Sequence, residues 1–121
     1  MIKRIVIAGC RNFNDYIYAK NYIDYLIKNI RKNNEIIIIS GGCRGADLLG
    51  ERYAAENGFK IERYTAEWSK YGKSAGPRRN KTMAENCDYV ICFWDGKSNG
   101  TKSMIKYAKE LNKPLRIKFI I

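Results

Sequence analysis

Five short apolar runs, separated by stretches of helical periodicity, constrain this chain more than any other feature. The runs are KRIVIAG (3–9), EIIIISGG (35–42), FKIERYTA (59–66), YVICFWDG (89–96) and PLRIKFII (114–121). The second is a continuous Ile run, the pattern of a strand covered on both faces. FKIERYTA alternates instead, and the proline opening the fifth run suits a strand start. Between them, residues 15–33, 45–57, 77–87 and 100–112 carry helical spacing. Ala19, Ile23, Leu26, Ile27 and Ile30 form the inner face of the first helix, with Asp15 as its N-cap. Leu49, Tyr53 and Ala54 face inward on the second, which Gly58 stops. Pro77 opens the third at its first position, where a missing N–H does no harm. Met104, Ala108 and Leu111 share one face of the fourth. The strict β-α alternation predicts a single α/β domain over residues 1–121. Its core is a doubly wound sheet of about five parallel strands with helices on both faces. A length of 121 residues agrees with one domain.

Several chemistries are excluded by composition. The chain has no histidine, so Ser-His-Asp and Cys-His catalysis are out and the commonest metal ligand is missing. Cys10, Cys43, Cys87 and Cys92 show no CxxC spacing, and read as free thiols in a reducing compartment rather than a metal site. No metal and no cofactor are expected. The opening MIKRIVIAGC has too short an apolar run for a signal peptide, and no run approaches the ~20 residues that span a bilayer. A cytoplasmic protein without a membrane partner is the expectation. Lys and Arg total 23 against 12 acidic residues, a net charge of +11. Two readings of that excess stay open. One is phosphate contacts with nucleic acid. The other is a compositional drift toward Lys, Asn, Ile and Tyr combined with a small anionic ligand. Lys28, Lys32, Lys60, Lys70, Lys102, Lys106, Lys109 and Lys113 are scattered and form no tract.

In a sheet of this kind, ligands bind outside the carboxyl ends of the strands, where the strand order switches. The unusual residues collect on that edge, whereas the opposite connections (RKNNE, ENGF, NCD, LNKP) are plain. AGCRNFND supplies Gly9, Cys10 and Arg11. SGGCRGAD supplies Gly41, Gly42, Arg44 and Asp47, with Gly45 where the helix begins. Its glycines allow a sharp turn, and free N–H groups at the helix start suit a phosphate. It is neither a GxGxxG fingerprint nor a P-loop. GKSNGT, after Asp95, supplies Ser98, Gly100 and Thr101; Ser98 or Asn99 can cap the last helix with the same amides that hold an anion. Asp47 and Asp95 either favour a helix dipole, bind a ribose hydroxyl or act in acid–base work. Trp68 and Tyr71, in the loop 67–76, either stack on a base or cover the core edge. Residues 75–80 read AGPRRN, placing Arg78, Arg79 and Asn80 at a helix start, whose partial positive charge gives arginines no local benefit. An anion between them resolves that conflict. Successive helical positions lie about 100° apart, so one arginine faces it directly.

GGCRGAD, AEW-x-KYGKSAGPRRN-xx-M and WDGKSNGT, in this order over nearly the whole chain, resemble the SLOG superfamily. That is the Rossmann-like group named after the Smf/DprA proteins and the cytokinin-activating LOG enzymes. The sequence looks most like its YspA-like branch of small bacterial and phage proteins. The resemblance implies a Rossmann-like sheet, a nucleotide-derived ligand such as ADP-ribose or a related signalling nucleotide, and self-association into a homo-oligomer. It assigns the direct ligand contact to Arg79, which stands at the arginine of the R-K-x-x-M helix start, and aligns Gly100 and Thr101 with the GT of PGGxGTxxE. Met104 falls where LOG enzymes have their glutamate. The first expectation is therefore a sensor or sequestering sponge. The second is a hydrolase of a glycosidic or phosphate linkage using Asp95, Asp47 or Glu67. The third is a single-stranded nucleic-acid binder through Trp68, Lys70, Tyr71 and Lys73.

Overall fold

The computed structural model describes residues 1–120; the last residue of the predicted fifth strand lies outside them. Five strands form one sheet: β1 (Ile2–Gly9), β2 (Glu35–Ser40), β3 (Lys60–Arg63), β4 (Tyr89–Trp94) and β5 (Leu115–Phe119). All pairs are parallel, in the order β3-β2-β1-β4-β5. The helices are α1 (Tyr16–Ile27), α2 (Ile30–Asn33), α3 (Ala46–Asn57), α4 (Trp68–Tyr71), α5 (Ala75–Glu85) and α6 (Asn99–Glu110), with a 3-10 turn at Gly72–Ser74. The Rossmann-like α/β architecture expected from the alternation is the one found.

Strand periodicity divides the core in two. Ile5, Ile7, Ile36, Ile38, Ile91 and Phe93 face α1 and α3, where Ala19, Ile23, Ile27, Tyr53 and Ala54 meet them. Val6, Ala8, Ile39, Val90 and Cys92 face α5 and α6, against Met83, Ala84, Met104 and Ala108. Both layers are apolar because the inner strands carry apolar residues on both faces. The edge strands do not: β3 exposes Lys60 and Arg63, and β5 exposes Arg116. Charges there discourage pairing with another sheet.

Several boundaries differ from expectation. The helix expected over 15–33 loosens at Lys28 and Asn29, although both keep right-handed dihedral angles. Asn29 is a poor helix former, and Asn34 donates its side-chain N–H to the Ile30 carbonyl 2.8 Å away, closing the tail. Asp15 does cap α1, accepting from the Tyr18 amide at 3.1 Å. Strand β3 spans four residues rather than 59–66: Lys60–Arg63 stand in register with β2, and the last bond to it is from the Tyr64 amide to the Ser40 carbonyl at 2.9 Å. The predicted loop 67–76 contains α4 and the 3-10 turn, and α5 starts at Ala75. Pro77 is thus its third residue, still within the first turn, whose amides need no helical partner. Gly58 ends α3 in the left-handed conformation, as expected. Among the described residues no helix is long and apolar enough to cross a membrane.

Candidate functional site

The sheet's order reverses between β1 and β4, and a cleft of about 440 Å³ opens at their carboxyl ends. Its walls come from four segments: the turn after β1, the turn before α3, one side of α5, and the turn leading into α6. Ala8 and the buried Met104 form apolar ground between them. This volume falls in the ordinary range for small-molecule sites.

Cys10 organises the β1 turn through its backbone. Its amide donates to the Phe93 carbonyl at 3.0 Å, and its carbonyl accepts from Phe13 at 3.3 Å and from Ala46 at 3.1 Å. One residue thereby joins β1, β4 and α3. Phe13 stacks on Phe93 with ring centroids 5.0 Å apart, which anchors the turn holding Arg11 and Asn12. Gly9 is required by closeness, since a Cβ there would overlap the Phe93 carbonyl oxygen. The Cys10 thiol accepts from the Asp95 amide at 3.3 Å, and burial raises its pKa.

In the turn before α3, Gly45 takes φ +85°, and a Cβ on it would overlap the Cys10 carbonyl. Asp47 is 6% exposed and accepts from the Cys43 amide at 3.2 Å. Burial, opposed by that hydrogen bond and by the Arg79 charge, pushes its pKa up to about 6. The first amide of α3, that of Ala46, is spent on Cys10. That amide is therefore not among the free N–H groups expected at the helix start.

Arg79 is half-buried. Its Nη1 donates to the Gly41 carbonyl at 2.8 Å and its Nε to Asn80 Oδ1 at 3.0 Å. Asn80 in turn donates to the Gly100 carbonyl at 3.2 Å, tying α5 to the start of α6. Arg79 therefore shapes the cleft as well as lining it. The α5 contribution comes from its side, through Arg79, Asn80 and Met83; the residues of its first turn do not line the cleft.

Asp95 Oδ1 accepts from the Lys97 and Ser98 amides, both at 2.8 Å. These two bonds, Ser98 foremost, hold its pKa below the usual carboxylate range. Asp95 is thus a turn-former that stays ionised, a poor general acid. No side chain caps α6, whose first-turn residues Gly100 and Thr101 line the cleft. Helix starts of this kind hold anions through their unpartnered amides.

Eleven predicted residues converge here: Gly9, Cys10, Arg11, Arg44, Asp47, Arg79, Asn80, Asp95, Ser98, Gly100 and Thr101. Four do not. The Gly41 carbonyl receives Arg79 from behind the wall, and Gly42 packs against the Arg63 stem. Trp68 is 54% exposed and lies over Gly76. Arg78 and Glu67 line a separate depression. Sequence reasoning missed Asn12 and Met83 as lining residues. Asn12 directly follows Arg11 in the β1 turn, so its neighbour was the available signal; Met83, four residues after Arg79, shares its helical face.

The model of the YspA, cpYpsA-related SLOG family matches residues 3–71. The Gene 61 protein of Mycobacterium phage D29 is 29% identical over 121 residues, covering 94% of each chain. Among solved structures, DNA processing protein A from Helicobacter pylori, described for its single-stranded DNA binding mode, aligns with a TM-score of 0.70 at 21% identity. The alignment covers 95% of this chain and 64% of that one. DNA processing protein A from Streptococcus pneumoniae aligns with a TM-score of 0.70 at 20% identity, over 97% of this chain and 50% of that one. This chain therefore spans less than two thirds of either, and the likeness is one of fold.

Proposed function

Because this chain belongs to the YspA, cpYpsA-related SLOG family, we propose that its cleft binds a nucleotide-derived small molecule, as a sensor or a sequestering protein. One observation carries the reading. Three guanidinium groups, from Arg11, Arg44 and Arg79, come from three separate segments to one nucleotide-sized cleft at the sheet's switch point. Arg11 and Arg44 have no ion-pair partner among the described residues, so they remain available to phosphate oxygens. The α6 start offers backbone donors beside them. Asp47, within reach of the Arg79 charge, suits a ribose hydroxyl.

Turnover has weaker support. Met104 occupies the position of the glutamate that LOG-type enzymes use, and Asp95 is committed to two amides. Asp47 is the carboxyl group whose pKa, about 6, suits proton transfer near neutral pH, so it replaces Asp95 as the residue on which a hydrolase reading rests. A nucleic-acid reading draws on the net charge of +11 and on the fold shared with DNA processing protein A.

The test is calorimetric titration with ADP-ribose, AMP and related nucleotides, followed by mass spectrometry of the recovered ligand. A charge-assisted hydrogen bond contributes about 1.5–3 kcal/mol, so Arg11→Ala and Arg44→Ala should each weaken binding about tenfold or more. Intact ligand after incubation supports a binder. Unchanged affinity in both variants would move the ligand away from this cleft.

A further inference from the structure

A second depression, of about 350 Å³, lies beside the first, and Arg79 lines both. Its other walls include Tyr64, Thr65, Glu67, Tyr71, Arg78 and Thr82. Of the two adjacent arginines only Arg79 was expected to face the first anion directly, and the turn of the helix carries Arg78 here. The Arg78 guanidinium is already oriented. It lies 4.3 Å over the Tyr71 ring, and its Nε donates to Ser74 Oγ at 3.1 Å. Ser74 is fixed in turn by donating to the Tyr71 carbonyl at 2.9 Å. The terminal Nη groups of Arg78 make no bond within the described residues, and a guanidinium fixed this way loses little freedom on meeting a phosphate. Lys70 lies 5.0 Å from the centre of the same ring. Cations thus occupy Tyr71, which leaves little room for a base to stack there. Two arginines and one exposed carboxylate, Glu67, share the lining with four hydroxyl-bearing side chains. That lining suits a phosphate and a sugar.

We infer that the second depression is a phosphate–sugar subsite, and that the ligand carries a second phosphate-bearing sugar unit, which crosses Arg79 from the main cleft. The inference rests on the reading of the main cleft as a nucleotide site. Arg79, with Nη1 at 2.8 Å from the Gly41 carbonyl and 3.5 Å from that of Tyr64, stands at the junction of the two. A mononucleotide fills the first depression alone.

Calorimetric titration of wild type, Arg78→Ala and Arg78→Lys with AMP, ADP-ribose and the 5′-phosphorylated dinucleotide pApA tests this. Wild type should bind at least one two-unit ligand about tenfold more tightly than AMP. Arg78→Ala should erase that advantage and leave AMP affinity unchanged, while Arg78→Lys should keep part of it. Gain with ADP-ribose alone identifies a pyrophosphate link, and gain with pApA alone a phosphodiester. An advantage that survives Arg78→Ala, or AMP affinity that falls equally, would overturn the subsite. AMP binding without any gain from a second unit overturns the subsite and leaves the main cleft standing. Failure of all three nucleotides to bind overturns the reading of the main cleft and the subsite with it.

Discussion

Asp47 is held where burial opposes its charge while the Cys43 amide and Arg79 favour it. Its carboxyl, ordinarily near 3.8, is pushed up to about 6, chiefly by burial. Such a group binds its proton more tightly in the folded than in the unfolded chain. Its neutral form stabilises the fold fully below about pH 4, and that contribution is lost as pH rises through about 6. The difference between the two limits is on the order of 3 kcal/mol. Asp24, Glu51 and Glu56 shift downward, with hydrogen-bonded partners offsetting desolvation, and act in the opposite sense. They are common to wild type and variant and cancel in the comparison. Asp47→Asn keeps an oxygen for the Cys43 amide and removes the buried charge. It should resist urea better than wild type at pH 7.5, with the gap closing toward pH 4. Equal stability change at both pH values would mean that Asp47 is ionised and fully compensated by Arg79.

Among elements, the start of α3 is the least tolerant joint. Gly45 combines φ +85° with the Cys10 carbonyl where a Cβ would go, whereas Gly58, at φ +69°, has open space around it. A left-handed residue with a side chain costs roughly 1–2 kcal/mol in itself. Gly58→Ala should lose about that amount in urea denaturation. Gly45→Ala should lose distinctly more, because the β1 turn must also move, and should weaken ligand binding too. Similar losses for both would show that the Cys10 contact gives way easily. The elements themselves were legible wherever side chains repeat strongly. The Ile runs identified the inner strands, and Ala19, Ile23 and Ile27 identified α1. Less legible were segments whose structure depends on neighbours. GKSAG reads as loop, yet Ala75 and Gly76 are buried and open α5. FKIERYTA alternates over its whole length, but only four of its residues stand in register with β2.

For the molecule as a whole, the charge of +11 poses the choice between a small ligand and a polymer, and salt dependence decides it. Single-stranded nucleic acid releases counterions with a slope of about −0.7 per phosphate neutralised, so a strand making six contacts gives a slope near −4. A two-phosphate ligand gives a slope shallower than about −2 on the same reasoning. Titrations of ADP-ribose and a dT20 strand between 50 and 300 mM salt, values chosen to span the steep range, separate the cases. The expected result is shallow dependence for ADP-ribose and weak, steeply falling affinity for dT20. Tight dT20 binding with a steep slope would transfer the function to nucleic acid. The location of the cleft was legible because parallel sheets gather their ligand-facing turns on one edge. That Arg78 and Arg79 diverge was legible in the angle between successive helical positions, but the place Arg78 reaches was not, because it depends on where Tyr71 and Ser74 sit. The same arrangement has a practical side. Cys10, Cys87 and Cys92 are buried thiols, and burial raises the pKa of each, so thiol-directed reagents meet them slowly. Cys43 is half-buried on the cleft wall. The native chain thus carries its own attachment point for a dye or a spin label at the mouth of the site, and occupancy becomes visible as protection from alkylation.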